Sequence, residues 1–67
     1  MENAIGFTVF CHESYKQAHQ LTGKAALNIF LRYNVFDYID SFYDILHTTG
    51  QEYIVNDIDM YIDNRRT

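Results

Sequence analysis

The chain has 67 residues, enough for one domain at most, and a single core of this size supplies only about 3–5 kcal/mol. Hydrophobic content of 48%, with six tyrosines and five phenylalanines, excludes a disordered tail and leaves aromatic side chains to spare for a partner or a second copy. The net charge of −4 is unevenly placed: from Phe36 to Asn64 there are seven acids (Asp37, Asp40, Asp44, Glu52, Asp57, Asp59, Asp63) and no Lys or Arg, a field that disfavours phosphates and steers basic partners.

The first segment, "NAIGFTVFCHESYKQAHQ", predicts a helix near 3–20. Ala4, Phe7, Phe10, Cys11, Tyr15 and Ala18 form an apolar stripe of period close to 3.6. Gly6 and Thr8 weaken its start. Phe7 to Cys11 also fits a strand, but the polar run that follows suits a helix better. Next, "LTGKAALNIFLRYN" predicts a helix near 22–33. The Thr22 hydroxyl is placed to accept a free amide of the first turn, and Asn34 tolerates the left-handed conformation that ends a helix.

"VFDYIDSFYDILHTTG" gives the clearest pattern, a helix near 36–47. Val35, Ile39, Phe42 and Leu46 recur at spacings of 4, 3 and 4, with Asp37, Asp40 and Asp44 on the opposite side. His47 falls near the last turn and Gly50 reads as a termination glycine, expected at positive φ or in a tight turn. The imidazole of His47 is expected to bond locally. The last segment is ambiguous, because Ile54, Ile58, Met60 and Ile62 alternate as in a strand. The charge order favours an extended stretch at Glu52 to Val55 followed by a helix near 56–65. Asn56 would cap it, with Asp57 and Asp59 in the first turn and Arg65 and Arg66 in the last. The expected core is Phe7, Phe10, Leu27, Phe30, Val35, Ile39, Phe42, Leu46, Ile58 and Ile62.

Chemistry-bearing constellations are thin. Asp40, Asp44 and His47 share a helix face and could form part of a metal site, but a closed site needs ligands from a second helix; a solvated face explains them as well. Cys11 and His12 are adjacent and so diverge on a helix, which leaves Cys11 as a small buried hydrophobe. Glycines 6, 23 and 50 are isolated and make no phosphate loop. With one cysteine there is no internal disulfide and no zinc cluster. No basic region precedes the first apolar run, and no run approaches the roughly 18 residues of a membrane span. The expected setting is reducing and cytoplasmic, with no cofactor and no membrane.

Thr22 to Tyr33 and Phe36 to His47, joined by a short turn, have the lengths of a helix-turn-helix. The second helix would then present Asp37, Asp40, Ser41 and Asp44 to phosphates, which repel carboxylates.

The line "YNVFDYIDSFYDILHTTGQEYIVNDI", from Tyr33 to Ile58, resembles a family of short bacterial proteins known only as a domain of unknown function. The upstream "FCHESY" is similar to that family's amino-terminal segment. The resemblance implies a gene neighbour encoding an ADP-ribosyltransferase-like protein, and hence a small partner or antitoxin-like subunit. It also implies a characteristic corner made by His47, Thr48, Gly50, Tyr53 and Asp57. It carries over no activity.

Together these readings give an all-α, small four-helix domain, partly helix-turn-helix-like, and not an enzyme. The expected role is protein–protein interaction through Asp37, Asp40 and Asp44, with Tyr43 or Tyr53 as an aromatic anchor. The partner would be another protein, such as a transferase-like toxin, or a second copy in a homodimer. A helix-turn-helix-like nucleic-acid-binding regulator is the alternative.

Overall fold

The computed structural model describes residues 2–66, and side chains from residue 6 onward; the expected packing of Ala4 lies outside the described residues. Five helical segments follow in order: α1 (Glu2–Ala18), α2 (Gly23–Arg32), α3 (Val35–Ser41), α4 (Tyr43–Leu46) and α5 (Gln51–Arg66). The described residues contain no strand, so the domain is all-α as expected. The expected third helix is divided into α3 and α4, which turns four helices into five.

Cys11 and Tyr15 of α1 are buried and Phe7 is packed against the core, but Phe10 is exposed. The helix ends in a Schellman motif. The Leu21 amide donates to the Lys16 carbonyl at 2.9 Å and the Gln20 amide to the Gln17 carbonyl at 3.2 Å. Gln20 takes the left-handed position at φ 54°, where glycine is the usual occupant. Glutamine gives no local signal for that conformation, and the expected end at residue 20 therefore ran two residues long.

In α2, Thr22 caps the helix as expected, its hydroxyl accepting from the Ala25 amide at 3.1 Å. Ala26 and Phe30 face inward. Leu27, expected in the core, is exposed, because it lies about 100° round the helix from Ala26. Asn34 has φ 57° and ψ 40°, the left-handed conformation expected of it, and turns the chain into α3.

The regular helix breaks at Phe42, whose backbone is at φ −112° and ψ 24°. Val35, Ile39 and Leu46 are buried, but Phe42 is not. The Phe42 ring lies against that of Tyr38, 5.1 Å between centroids. A spacing argument assumes one continuous helix, and here the helix is not continuous.

The extended stretch expected at Glu52 to Val55 is helical instead. The helix α5 begins at Gln51, and Asn56 lies inside it rather than at its cap. Ile54, Ile58 and Ile62 are buried along one stripe, at the four-residue spacing of a single helix face. That stripe needs Ile54 in helical register, which an extended lead-in would have turned away. Glu52 in the first turn and the two arginines in the last still suit the helix dipole.

The core joins α1, α2, α3 and α5. Phe30 sits at its centre, with the rings of His12, Tyr15 and Phe36 at 5.5, 5.3 and 5.2 Å. Truncating it, Phe30→Ala, is expected to cost about 3–5 kcal/mol in urea denaturation, whereas Phe42→Ala is expected to cost about 1 kcal/mol or less. Gln20→Gly is expected to raise the urea midpoint, by roughly 0.5–1 kcal/mol, through relief of the left-handed strain.

Candidate functional site

The His-Thr-Thr-Gly run closes α4 and spends its polar atoms locally. His47 Nδ1–H donates to the Tyr43 carbonyl at 2.7 Å. Thr48 Oγ1 donates to the Ile45 carbonyl at 2.8 Å and Thr49 Oγ1 to the Leu46 carbonyl at 2.7 Å. The same three carbonyls also accept backbone amides, from His47, Thr48 and Thr49 at 2.9, 3.3 and 3.0 Å, so each side chain adds a second bond at the helix end. Gly50 is not at positive φ. Its carbonyl accepts from the Ile54 amide at 3.0 Å, so it opens α5 rather than closing α4 by a left-handed turn. Asp57 lies further along, inside α5. It lies near Tyr38, whose hydroxyl pKa is raised by burial first and then by the charges of Asp57 and Tyr61.

Cys11 is fully buried, and burial pushes its thiol up to about 12. A thiolate nucleophile needs the opposite shift. Its neighbour His12 is turned to α2, where Nε2–H donates to the Gly23 carbonyl at 3.3 Å. No group of three or more His, Cys, Asp or Glu among the described residues is placed to hold a metal ion. No helix among them is long and apolar enough to cross a membrane.

Asp37, Asp40 and Asp44 are all exposed. The described ion pairs are Lys16–Glu13, His19–Asp59 and Arg66–Asp63, and none engages these three. The two tyrosines separate. Tyr43 is half-buried, edge-on to Phe7 at 5.4 Å and stacked on His47 at 4.6 Å, so it is a packing residue rather than a free anchor. Tyr53 is 71% exposed on α5.

Two apolar side chains that sequence reasoning did not single out for this surface accompany the acids. Phe42 is 47% exposed and Ile45, a single turn further on, is 65% exposed. Ile45 was detectable in principle, since it falls off the stripe formed by Val35, Ile39 and Leu46. Phe42 was not, because its spacing from Ile39 and Leu46 places it on that stripe. A groove of about 520 Å³ runs between α1 and α5 and is lined by Ser14, Gln17, Ala18, Gln51, Glu52 and Val55 among others. It is open and carries a single charged group, so it offers no acid–base pair.

Residues 6–65 match the model of the DUF3791 family, described as proteins of unknown function. The chain belongs to that family. No curated protein and no solved structure matches it.

Two outcomes follow from this geometry. Gly50→Ala is expected to change stability by less than about 0.5 kcal/mol, since a weaker helix cap is offset by a stiffer unfolded chain; only the Tyr53 ring, at 3.9 Å, would meet the added methyl. Cys11 is expected to resist thiol reagents until the domain unfolds. Its folded pKa lies above the ordinary 9.0, so its contribution to stability is complete below pH 9.0 and is lost as pH rises toward about 12. Tyr15 and Tyr38, both raised from 10.0 with burial as the main cause, act in the same direction. The urea midpoint should therefore fall across the alkaline range.

Proposed function

We propose that this domain is a non-catalytic protein-interaction module that docks a basic partner on its α3–α4 surface. The observation that carries this reading is the exposure of Phe42 and Ile45 on the same α3–α4 segment as Asp40 and Asp44, carboxylates that none of the described ion pairs engages. An apolar centre with a charged rim is the usual anatomy of a docking patch: the buried anchor supplies affinity, and the rim charges set approach and orientation. Asp40 and Asp44 are the rim, and Tyr53 is the aromatic side chain free to extend it. Asp37 stands nearer to α2. The free thiol of Cys11 is consistent with a reducing, cytoplasmic setting.

The resemblance in sequence supports a finer form of this reading, in which the domain is an accessory or antitoxin-like subunit of an ADP-ribosyltransferase-like protein. A negative face suits a protein whose dinucleotide pocket is basic, because it can cover the site where phosphates bind. Nucleic acid is the poorer reading: from Phe36 to Asn64 there is no Lys or Arg to meet a phosphate.

Co-purification from the native cells, followed by mass spectrometry, identifies the partner. Binding to that purified partner then tests the surface. Asp40→Lys combined with Asp44→Lys should slow association and flatten its salt dependence. Ile45→Ser should weaken affinity by about tenfold or more. Both variants should keep the helical circular-dichroism signal, since the side chains are exposed. Unchanged binding in both would reduce the acidic surface to a solubility feature.

A further inference from the structure

A second apolar surface lies on the other side of the α2–α3 corner, and it differs from the first in carrying both signs of charge. Lys24, Leu27 and Leu31 sit at i, i+3 and i+7 along α2 and are all exposed, Leu31 by 60%. That spacing aligns them on one stripe. Val9 of α1, 57% exposed, extends the stripe sideways; with Leu27 and Phe36 it lines a groove of about 180 Å³. Leu31 and Phe36 line a neighbouring hollow of about 140 Å³, whose edge is Asp37.

The ends of this surface are opposite in charge. Lys24 stands at the start of α2, and Asp37 stands past its end, in the first turn of α3. Neither takes part in any of the described ion pairs. Arg32 is turned to the Tyr33 ring, 6.0 Å from its centroid, and lies round the helix from Leu27.

We infer that this face binds a second copy of the same chain, as a two-fold homodimer with the two α2 helices antiparallel. In a two-fold interface the same patch meets itself, so each residue must find its complement at the mirrored position. A patch with one sign of charge fails that condition. This one meets it: antiparallel packing places Lys24 of each chain over Asp37 of the other, while Leu27, Leu31 and Val9 close the centre. Among the described residues neither a disulfide nor a metal cluster staples the domain, and oligomerisation is a common remedy in domains of this size. The surface is distinct from that of Phe42 and Ile45, so the dimer remains free to engage a partner.

Sedimentation equilibrium and light scattering across about a hundred-fold range of concentration test this, together with the melting temperature, which rises with concentration for a dimer. The expected mass moves from 7.9 kDa toward twice that value. Leu31→Glu should remain monomeric at every concentration with its helical signal intact. Lys24→Glu and Asp37→Lys should each raise the dimer Kd about tenfold or more, because like charges then face each other. Lys24→Glu combined with Asp37→Lys should restore it to within about threefold of wild type, since every cross-chain pair is again opposite in sign. Asp40→Lys with Asp44→Lys should leave dimerisation unaltered. A wild-type chain that is monomeric throughout overturns the inference. So does a dimer indifferent to Leu31→Glu, or a charge swap that fails to rescue.

Discussion

The docking of α5 across the other helices is the constraint on which the domain depends. Its isoleucine stripe, Ile54, Ile58 and Ile62, is buried against a core built from α1, α2 and α3. Polar contacts fix where it sits. The Tyr61 hydroxyl donates toward the Tyr33 and Asn34 carbonyls, at 2.9 and 3.2 Å, where α2 turns into α3. His19 Nε2–H reaches both oxygens of Asp59, at 2.9 and 3.1 Å, and ties the end of α1 to the same helix. A helix of this length is marginal by itself in water. It persists because its apolar stripe has a surface to cover, and that surface has no other cover. Without Tyr61 the Tyr33 carbonyl would lose this bond, while the Asn34 carbonyl would keep the Tyr38 amide at 3.2 Å.

The same contact explains how a small chain uses so many aromatic residues. Tyr38 stacks on Tyr61 at 4.3 Å and carries Phe42 on its outer side. Arg65 lies over the Tyr61 ring, 5.2 Å from its centroid. A second row runs from Phe10 through Phe7 to Tyr43 and His47. These rows link helices through ring edges and faces instead of through aliphatic interdigitation. They also end at the surface, so the outermost ring of each row is half in water. Exposure of Phe42 is therefore a consequence of how the interior is built, and the proposed docking surface grows directly out of the packing.

The acidic half has a related logic. Its carboxylates lie on α3, α4 and the outer side of α5, where water can solvate them. Only Asp59 and Asp63 are engaged in described ion pairs, with His19 and with Arg66. The rest leave a negative field over the side of the molecule formed by the second half of the chain. Surface pairs of the Arg66–Asp63 kind contribute little to stability, so the field matters for approach and solubility, while the core supplies the cohesion.

By itself the sequence determined the class of fold, the helix signals and the polarity of the surface. Thr22 as a cap, Asn34 as a left-handed turn, the His47 side chain turned back on its helix, and the inward Val35, Ile39, Leu46, Ile58 and Ile62 are all local matters, set by side-chain chemistry and by periodicity within one element. Only the tertiary structure decided that Phe42 and Leu27 face outward, that α3 and α4 part company, that Gln20 is left-handed, and that α5 starts at Gln51. Each of these depends on which neighbour covers which face. A stripe of period 3.6 shows that one side of a helix is apolar, but the width of that side exceeds what a single neighbour can bury. In a domain this small there are too few helices to cover the remainder, and the uncovered part is where its interactions with other chains are to be sought.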